Sequence, residues 1–161
     1  MEAVILSLML WLKDTTTFKV PEVPPPFEIV ARTTIAAYAN SKQTSPSDSV
    51  IAQPLALCFN KKLYLSKELD SNKLIDKSIV LHELVHYIQN GCISNNHSEF
   101  FEMQAYAVQK YWLKQNGIDM NFRGRRPAED DSSTDILIPL KNKGYESKNF
   151  KCYSSCPQLE K

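Results

Sequence analysis

Residues 80–89 read VLHELVHYIQ and contain the pattern His-Glu-x-x-His at positions 82–86. In an α-helix, residues four positions apart lie on the same face, one turn from each other. The imidazoles of His82 and His86 can therefore reach one metal ion, and the carboxylate of Glu83, on the adjacent flank, can reach a water molecule beside that ion. This pattern is typical of a hydrolytic zinc site with two histidine ligands and a glutamate general base.

The sequence around the motif predicts the helix that the motif needs. Apolar residues recur at spacings of three and four, and neither proline nor glycine occurs between Ser66 and Asn90. The pair Asn90-Gly91 favours a helix end, and Asp70 or Ser71 is expected to cap the start. Because leucine, valine and isoleucine surround both histidines, we expect a largely buried helix. Its polar side chains would then need a partner, and a cation would satisfy all three.

A third ligand is expected on a second helix downstream. Asn96 and Glu99 form a capping box, an asparagine cap with an acidic residue three positions later, and Gly117 ends the predicted helix. Glu102 falls one turn further in, among aromatic and aliphatic residues, where a carboxylate is costly unless it is paired or ligated. We therefore identify Glu102 as the candidate third ligand. The alternatives are a surface position for Glu102 and ligation by His97, which lies in a loop where an exposed histidine is expected.

A pattern of five residues also occurs by chance, and two histidines on one helix face can be ordinary hydrogen-bonded core residues. The chain has three histidines in total, and two of them fall in this pattern. That concentration, together with a carboxylate on the next predicted helix, favours a metal site over the chance alternative.

Length and composition indicate one domain with its own hydrophobic core. The chain has 161 residues, of which 43% are hydrophobic, an ordinary fraction for a soluble globular protein. Its net charge is +1, and the basic run at 123–126 is followed by acidic residues at 129–131, so neither nucleic acid nor an anionic membrane is an expected partner. We predict a single domain over residues 1–120 and a polar, partly irregular C-terminal extension over residues 121–161.

Residues 3–12 form an apolar run of signal-peptide length, but Glu2 precedes it where a secretory signal has basic residues. The run is also too short to span a bilayer. We therefore interpret residues 2–13 as the first helix of the domain, and we expect neither a membrane span nor a signal peptide there.

The four cysteines, Cys58, Cys92, Cys152 and Cys156, permit two disulfides, which favours a periplasmic or secreted protein. A bond between Cys58 and Cys92 would tie the end of the motif helix to a predicted strand, and one between Cys152 and Cys156 would close a small loop. Free buried thiols in a cytosolic protein are the alternative. No Cys-x-x-Cys spacing occurs, so a zinc site built from cysteines is not indicated.

The chain before the motif predicts a small sheet and a second helix. Clustered prolines make residues 21–26 an extended connector, since proline fixes φ and disfavours helix before it. Alternating, β-prone residues predict a strand directly before the motif helix. An exposed strand there can pair with an extended peptide and hold it across the metal. We predict strands at 27–30, 50–53, 55–59 and 62–66, and a second helix through 35–39.

The motif from His82 to His86, followed by the Glu-x-x-Ala-Tyr element that begins at Glu102, resembles the zincin superfamily. Within it, the match is to members whose third ligand is a glutamate on a following helix (gluzincin-like), among them small bacterial proteins. The resemblance covers residues 63–113. It implies an α+β fold in which a small, mostly antiparallel sheet packs on the motif helix. It also implies a Zn²⁺ cofactor held by His82, His86 and Glu102, and hydrolysis of a peptide or protein substrate with Glu83 as the general base.

The resemblance is incomplete at Tyr106, which stands where larger members with a glutamate ligand have aspartate. The partner that orients His82 is therefore open. Gln89 and Gln109 are candidate acceptors for the rings of His82 and His86, although both can equally be surface residues. Tyr87 and Tyr106 can each donate an O–H to a developing oxyanion, but packing is their expected role. Two other functions stay open: a catalytically inactive zincin-like module that binds zinc and acts through a partner, and a structural domain without metal.

Overall fold

Residues 1–40, 54–89, 92, 99–119 and 140 are described by the computed structural model. Within these ranges the chain forms four helices and one three-stranded sheet, which confirms the predicted α+β class. The predicted strand at 50–53 and, apart from Leu140, the predicted extension from 121 lie outside the described residues. In chain order the elements are α1 (Glu2–Thr15), β1 (Phe27–Val30), α2 (Arg32–Asn40), β2 (Ala56–Phe59), β3 (Lys62–Ser66), α3 (Leu74–Ile88) and α4 (Glu99–Gln115).

Within the described residues the sheet is mixed, so the expectation of a mostly antiparallel sheet is not confirmed. Its strand order is β1-β3-β2, with β1 parallel and β2 antiparallel to the central strand. A two-residue turn joins β2 to β3, and Asn60 and Lys61 in it have φ values of 48° and 59°, as a type I′ hairpin requires. Helix α2 follows β1 in the chain, and a connection that contains a helix allows two strands to run in the same direction.

The two faces of the sheet meet different helices. Leu63 of β3 and Cys58 of β2 are buried on the face that packs against α3. The opposite face carries Phe59 and Tyr64, and Tyr38 of α2 packs on both, with ring centroids 5.5 Å from Phe59 and 4.7 Å from Tyr64. Alternation of side chains along each strand therefore separates a core face from an aromatic face covered by α2.

Helix α3 is the centre of the helical layer and contacts α1, α4, β2 and β3. Four of its apolar side chains, Val80, Leu81, Leu84 and Val85, are at most 1% exposed, which confirms the predicted burial of the motif helix. The neighbouring helices complete the core with Ile5, Leu8, Met9 and Leu12 from α1 and with Ala105, Val108, Trp112 and Leu113 from α4. The motif histidines consequently lie inside an apolar interface.

The start of α3 differs from the expectation. Lys73 occupies the N-cap position without a side-chain cap, so neither Asp70 nor Ser71 caps this helix. Asp70 instead accepts a hydrogen bond from the backbone N–H of Asn72 at 2.9 Å, and its own N–H donates to Asp76 at 2.7 Å. Asp76, in the first turn of α3, thus binds the preceding loop. The predicted helix end at Asn90 and Gly91 lies outside the described residues.

Helix α1 confirms the predicted first helix and ends against a distant part of the chain. The Thr16 hydroxyl donates to the carbonyl of Leu12 at 2.7 Å, and Thr16 forms an antiparallel bridge with Leu140. Leu140 also packs against the core, so this position of the predicted extension contacts the domain. Among the described helices, none has both the length and the apolar character needed to cross a membrane.

Helix α4 ends at a glycine, as predicted. Gly117 has φ +77°, its N–H donates to Lys114 at 3.1 Å, and the N–H of Ile118 donates to Leu113 at 2.9 Å. These two bonds define a Schellman motif, in which the residue after the helix takes the left-handed conformation. Glycine adopts that conformation without a Cβ penalty.

Replacing Gly117 with alanine is expected to destabilise the protein by about 1 kcal/mol, because a residue with a Cβ atom is strained in the left-handed region. Crowding is not the reason, since a Cβ built at Gly117 meets no heavy atom within 4 Å. Gly117→Asn is the matched control, because asparagine tolerates this conformation better. Denaturant unfolding of the three proteins measures the difference, and equal stability of the alanine and asparagine variants would contradict this account.

Candidate metal centre

Two helices that run in opposite directions bring the candidate ligands together. Gln109, late in α4, donates to Ser78, early in α3, at 3.0 Å, and Gln89, just after α3, donates to Gln104, early in α4, at 2.6 Å. Both contacts satisfy polar side chains whose burial without a hydrogen-bond partner would destabilise the protein. Together they fix one register of α4 along α3, and this register places Glu102 opposite the two motif histidines.

The donor atoms of His82, His86 and Glu102 form a compact cluster. The Nε2 atoms of the two histidines lie 3.0 Å apart, Nε2 of His82 lies 3.4 Å from Oε2 of Glu102, and Nε2 of His86 lies 3.4 Å from Oε1 of Glu102. Ligand atoms that surround a tetrahedral zinc ion at ~2.0–2.1 Å are about 3.3 Å from one another. The spacing of the cluster therefore fits a cation of that size.

The surroundings of the cluster also favour a cation. His82 and His86 are 8% and 3% exposed, and the Glu102 side chain is 37% exposed. Two imidazole nitrogens that face each other at hydrogen-bond distance need a proton or a cation between them, because their lone pairs repel. Two imidazoles and a carboxylate are a donor set that suits zinc. The structure thus brings together the three residues that the sequence predicts as ligands, and their ligation of zinc stays a prediction.

The predicted partners of the histidine rings are wrong. Gln89 and Gln109 bond Gln104 and Ser78, the two contacts that set the helix register. The Nδ1 atom of His82 is buried and has no hydrogen-bond partner within the described ranges. Metal-binding histidines usually donate their second ring N–H to an acceptor, and the residues that the structure describes supply none for His82.

Tyr106 lies directly beside the cluster, one helical turn after Glu102. Its ring centroid is 4.5 Å from that of His82, with the planes inclined by 55°, and the residue is 47% exposed. Burial of its hydroxyl raises the pKa of Tyr106, and the negative charges of Glu102 and Glu83 raise this pKa further. Tyr106 packs on the His82 ring, as expected of a packing residue. Tyr87 is half-buried against the core.

Glu83 contacts the sheet. Its Oε2 atom accepts a hydrogen bond of 2.6 Å from the backbone N–H of Cys58 in β2. A disulfide joins Cys58 to Cys92, whose Cα atoms are 4.7 Å apart, so the predicted tie between this strand and the chain after α3 is confirmed. Sequence reasoning missed the contact to Glu83, because a backbone donor carries no residue-type signal.

Several predicted site features lie outside the described residues. His97 and Asn96 are among them, as are Cys152 and Cys156, and the backbone of Glu99 is described as the first residue of α4 while its side chain is not. The sequence does contain a signal for the position of Tyr106 beside the cluster. Tyr106 follows Glu102 by four residues, and this spacing places both side chains on one helix face.

Comparison with known families gives one match. A family model described as Domain of unknown function (DUF6647) matches residues 1–124, which include all of the described helices and strands and every residue of the cluster. No curated protein and no solved structure matches the chain.

Glu102→Ala is expected to weaken zinc binding by more than the roughly 10- to 100-fold that the loss of an outer-shell partner costs, because it removes a ligand itself. Glu99→Ala removes a carboxylate from the first turn of the same helix and is the matched control. Competition with a chromophoric chelator measures both affinities. Similar zinc affinities of the two variants would contradict the choice of Glu102.

Proposed function

The chain belongs to the DUF6647 family, and we propose that it is a zinc-dependent peptidase in which His82, His86 and Glu102 hold the ion and Glu83 is the general base. One observation carries this proposal: donor atoms of three residues from two helices lie 3.0 to 3.4 Å from one another in a largely buried site, next to the glutamate of the same motif. An uncompensated group of two imidazoles and a carboxylate would be costly in that interface.

The role of Glu83 follows from its contacts. A bound zinc ion supplies Lewis acidity, which lowers the pKa of water and polarises a carbonyl group. The Cys58 N–H occupies Oε2 of Glu83, so Oε1 is the atom that would take up the proton of the attacking water and deliver it to the leaving amine. Burial raises the pKa of Tyr106, and the negative charges of Glu102 and Glu83 raise this pKa further, so the phenol would stay protonated beside the proposed site.

The expected substrate is a peptide or protein segment. Tyr106 and Glu102 reach solvent beside the buried histidines, so one side of the cluster is open to a chain that approaches from outside. The Cys58–Cys92 disulfide supports a periplasmic or secreted location, since such bonds persist in oxidising compartments.

A second function is favoured by the contact between Glu83 and Cys58. A carboxylate that accepts a buried strand N–H has a structural role that needs no catalysis, as in an inactive zincin-like module that binds zinc and acts through a partner. The two functions differ in whether zinc-loaded protein hydrolyses peptides.

Glu83→Gln is expected to keep zinc and to lower peptide hydrolysis by about 10²- to 10⁴-fold, because the ligands and the acceptor for the Cys58 N–H survive while the base is lost. Glu83→Ala should lose hydrolysis as well and about 1–3 kcal/mol of stability, because it leaves the buried N–H of Cys58 without a partner.

Elemental analysis, denaturant unfolding and a screen of peptide substrates with and without chelator test both variants. Full hydrolysis by Glu83→Gln would refute the catalytic role. Chelator-sensitive zinc binding without hydrolysis of any peptide by the wild-type chain would favour the inactive module.

A further inference from the structure

The N–H of Cys58 points away from the sheet, which explains why Glu83 can bind it. Leu55 accepts a hydrogen bond from the N–H of Ser66 at 2.8 Å, and the two-residue turn pairs Phe59 with Lys62. Hydrogen-bonded pairs alternate along an antiparallel ladder, so the intervening pair at Cys58 makes no ladder bonds. Its N–H therefore lies on the outer edge of β2, where the carboxylate of Glu83 is its acceptor.

Strand β2 is poorly anchored by the sheet alone. It has four residues and, among the strands that the structure describes, lies at the edge and pairs with β3 alone. Short edge segments open locally with little free energy, because few contacts restrain them. The residue that contacts Glu83 carries an additional restraint, since Cys58 is bonded to Cys92, and both cysteines are buried, at 1% and 8% exposure.

The disulfide therefore links the two elements that position Glu83, helix α3 and strand β2. Glu83 lies on α3, Cys92 follows α3 by a short segment of chain, and Cys58 presents the N–H that Glu83 accepts. Covalent attachment of β2 to the chain beyond α3 limits how far the strand edge can move from the helix. A carboxylate with one oxygen fixed in this way keeps its second oxygen in one direction.

We propose that Cys58 and Cys92 are positioning residues: their disulfide holds the edge of β2 against α3 so that the Cys58 N–H orients the carboxylate of Glu83. The inference rests on the proposed function for its catalytic consequence, while the contact itself can be measured without any activity. It predicts that the reduced protein keeps its zinc ligands and loses the orientation of its base.

The experiment compares the oxidised chain with a Cys58→Ser/Cys92→Ser variant, both carrying Cys152→Ser/Cys156→Ser so that no other cysteine can pair. Amide hydrogen exchange is followed by NMR at position 58, with Leu63 and Leu65 of the central strand as internal references. Zinc affinity, kcat and KM are measured on the same samples. The oxidised chain treated with tris(2-carboxyethyl)phosphine serves as a second way to open the bond.

Without the disulfide, we expect exchange at position 58 to accelerate by about tenfold or more while the two references change less. Zinc affinity should stay within about twofold, and kcat should fall by about 10- to 100-fold with little change in KM, because a displaced base slows the reaction without altering binding. Unchanged exchange at position 58 would overturn the proposal. An equal acceleration at all three positions, or a loss of zinc affinity that accounts for the loss of kcat, would overturn it too.

A failure of the proposed function is distinguishable from a failure of this inference. If no form hydrolyses peptides, the peptidase assignment fails, and the exchange rates still decide whether the disulfide holds the contact to Glu83.

If the serine variant does not fold, Glu83→Ala and Glu83→Gln in the oxidised chain replace it. If the disulfide stabilises the contact between Glu83 and Cys58, that contact must stabilise the disulfide by the same amount. We therefore expect the equilibrium constant for reduction by glutathione to be about three- to tenfold larger in Glu83→Ala than in the parent chain, and unchanged in Glu83→Gln. Equal constants in the two variants would overturn the proposal.

Discussion

The interaction on which the rest of the structure depends is the meeting of two imidazoles and a carboxylate inside the contact between α3 and α4. Apolar side chains make up most of the surrounding interface, so these groups are costly there unless something compensates them. Two amide contacts, Gln109 with Ser78 and Gln89 with Gln104, fix the helices in one register. A shift of α4 by one turn would move Glu102 by about 5.4 Å along the helix axis. Its carboxylate would then be too far from the two histidines to share a metal ion with them.

The position of α3 between the sheet and α4 explains how adjacent motif residues have different partners. Successive residues of a helix differ by about 100° in direction, so His82 can face α4 while Glu83 faces the edge of β2. The sheet side supplies a backbone N–H from Cys58, and the helix side supplies the carboxylate of Glu102. The small sheet is thus part of the site, because its strand β2 supplies the hydrogen-bond donor that Glu83 accepts.

Local sequence patterns predicted the helices and strands. Element ends were placed correctly where neighbouring residues alone determine them. The alternation at 62–66 gave β3 its full extent, and Gly117 marked the end of α4, since both depend on neighbouring residues alone. The direction of β1, the start of α3 at Leu74 and the partners of Gln89 depend on residues far away in the chain. The cluster was predictable because helical spacing determines which side chains share a face. The N–H of Cys58 was not, because its orientation follows from strand pairing.

The charge of Glu83 bears on which function this geometry serves. A structural acceptor for the Cys58 N–H needs only an oxygen atom, and a neutral amide would supply it. Burial raises the pKa of Tyr106, and the negative charges of the Glu102 and Glu83 carboxylates raise this pKa further. Two carboxylates near one phenol repel each other unless a cation or a transferable proton balances them. Satisfying the strand edge does not by itself explain an ionisable group at this position, and the proposed function would use that group for proton transfer beside a bound cation.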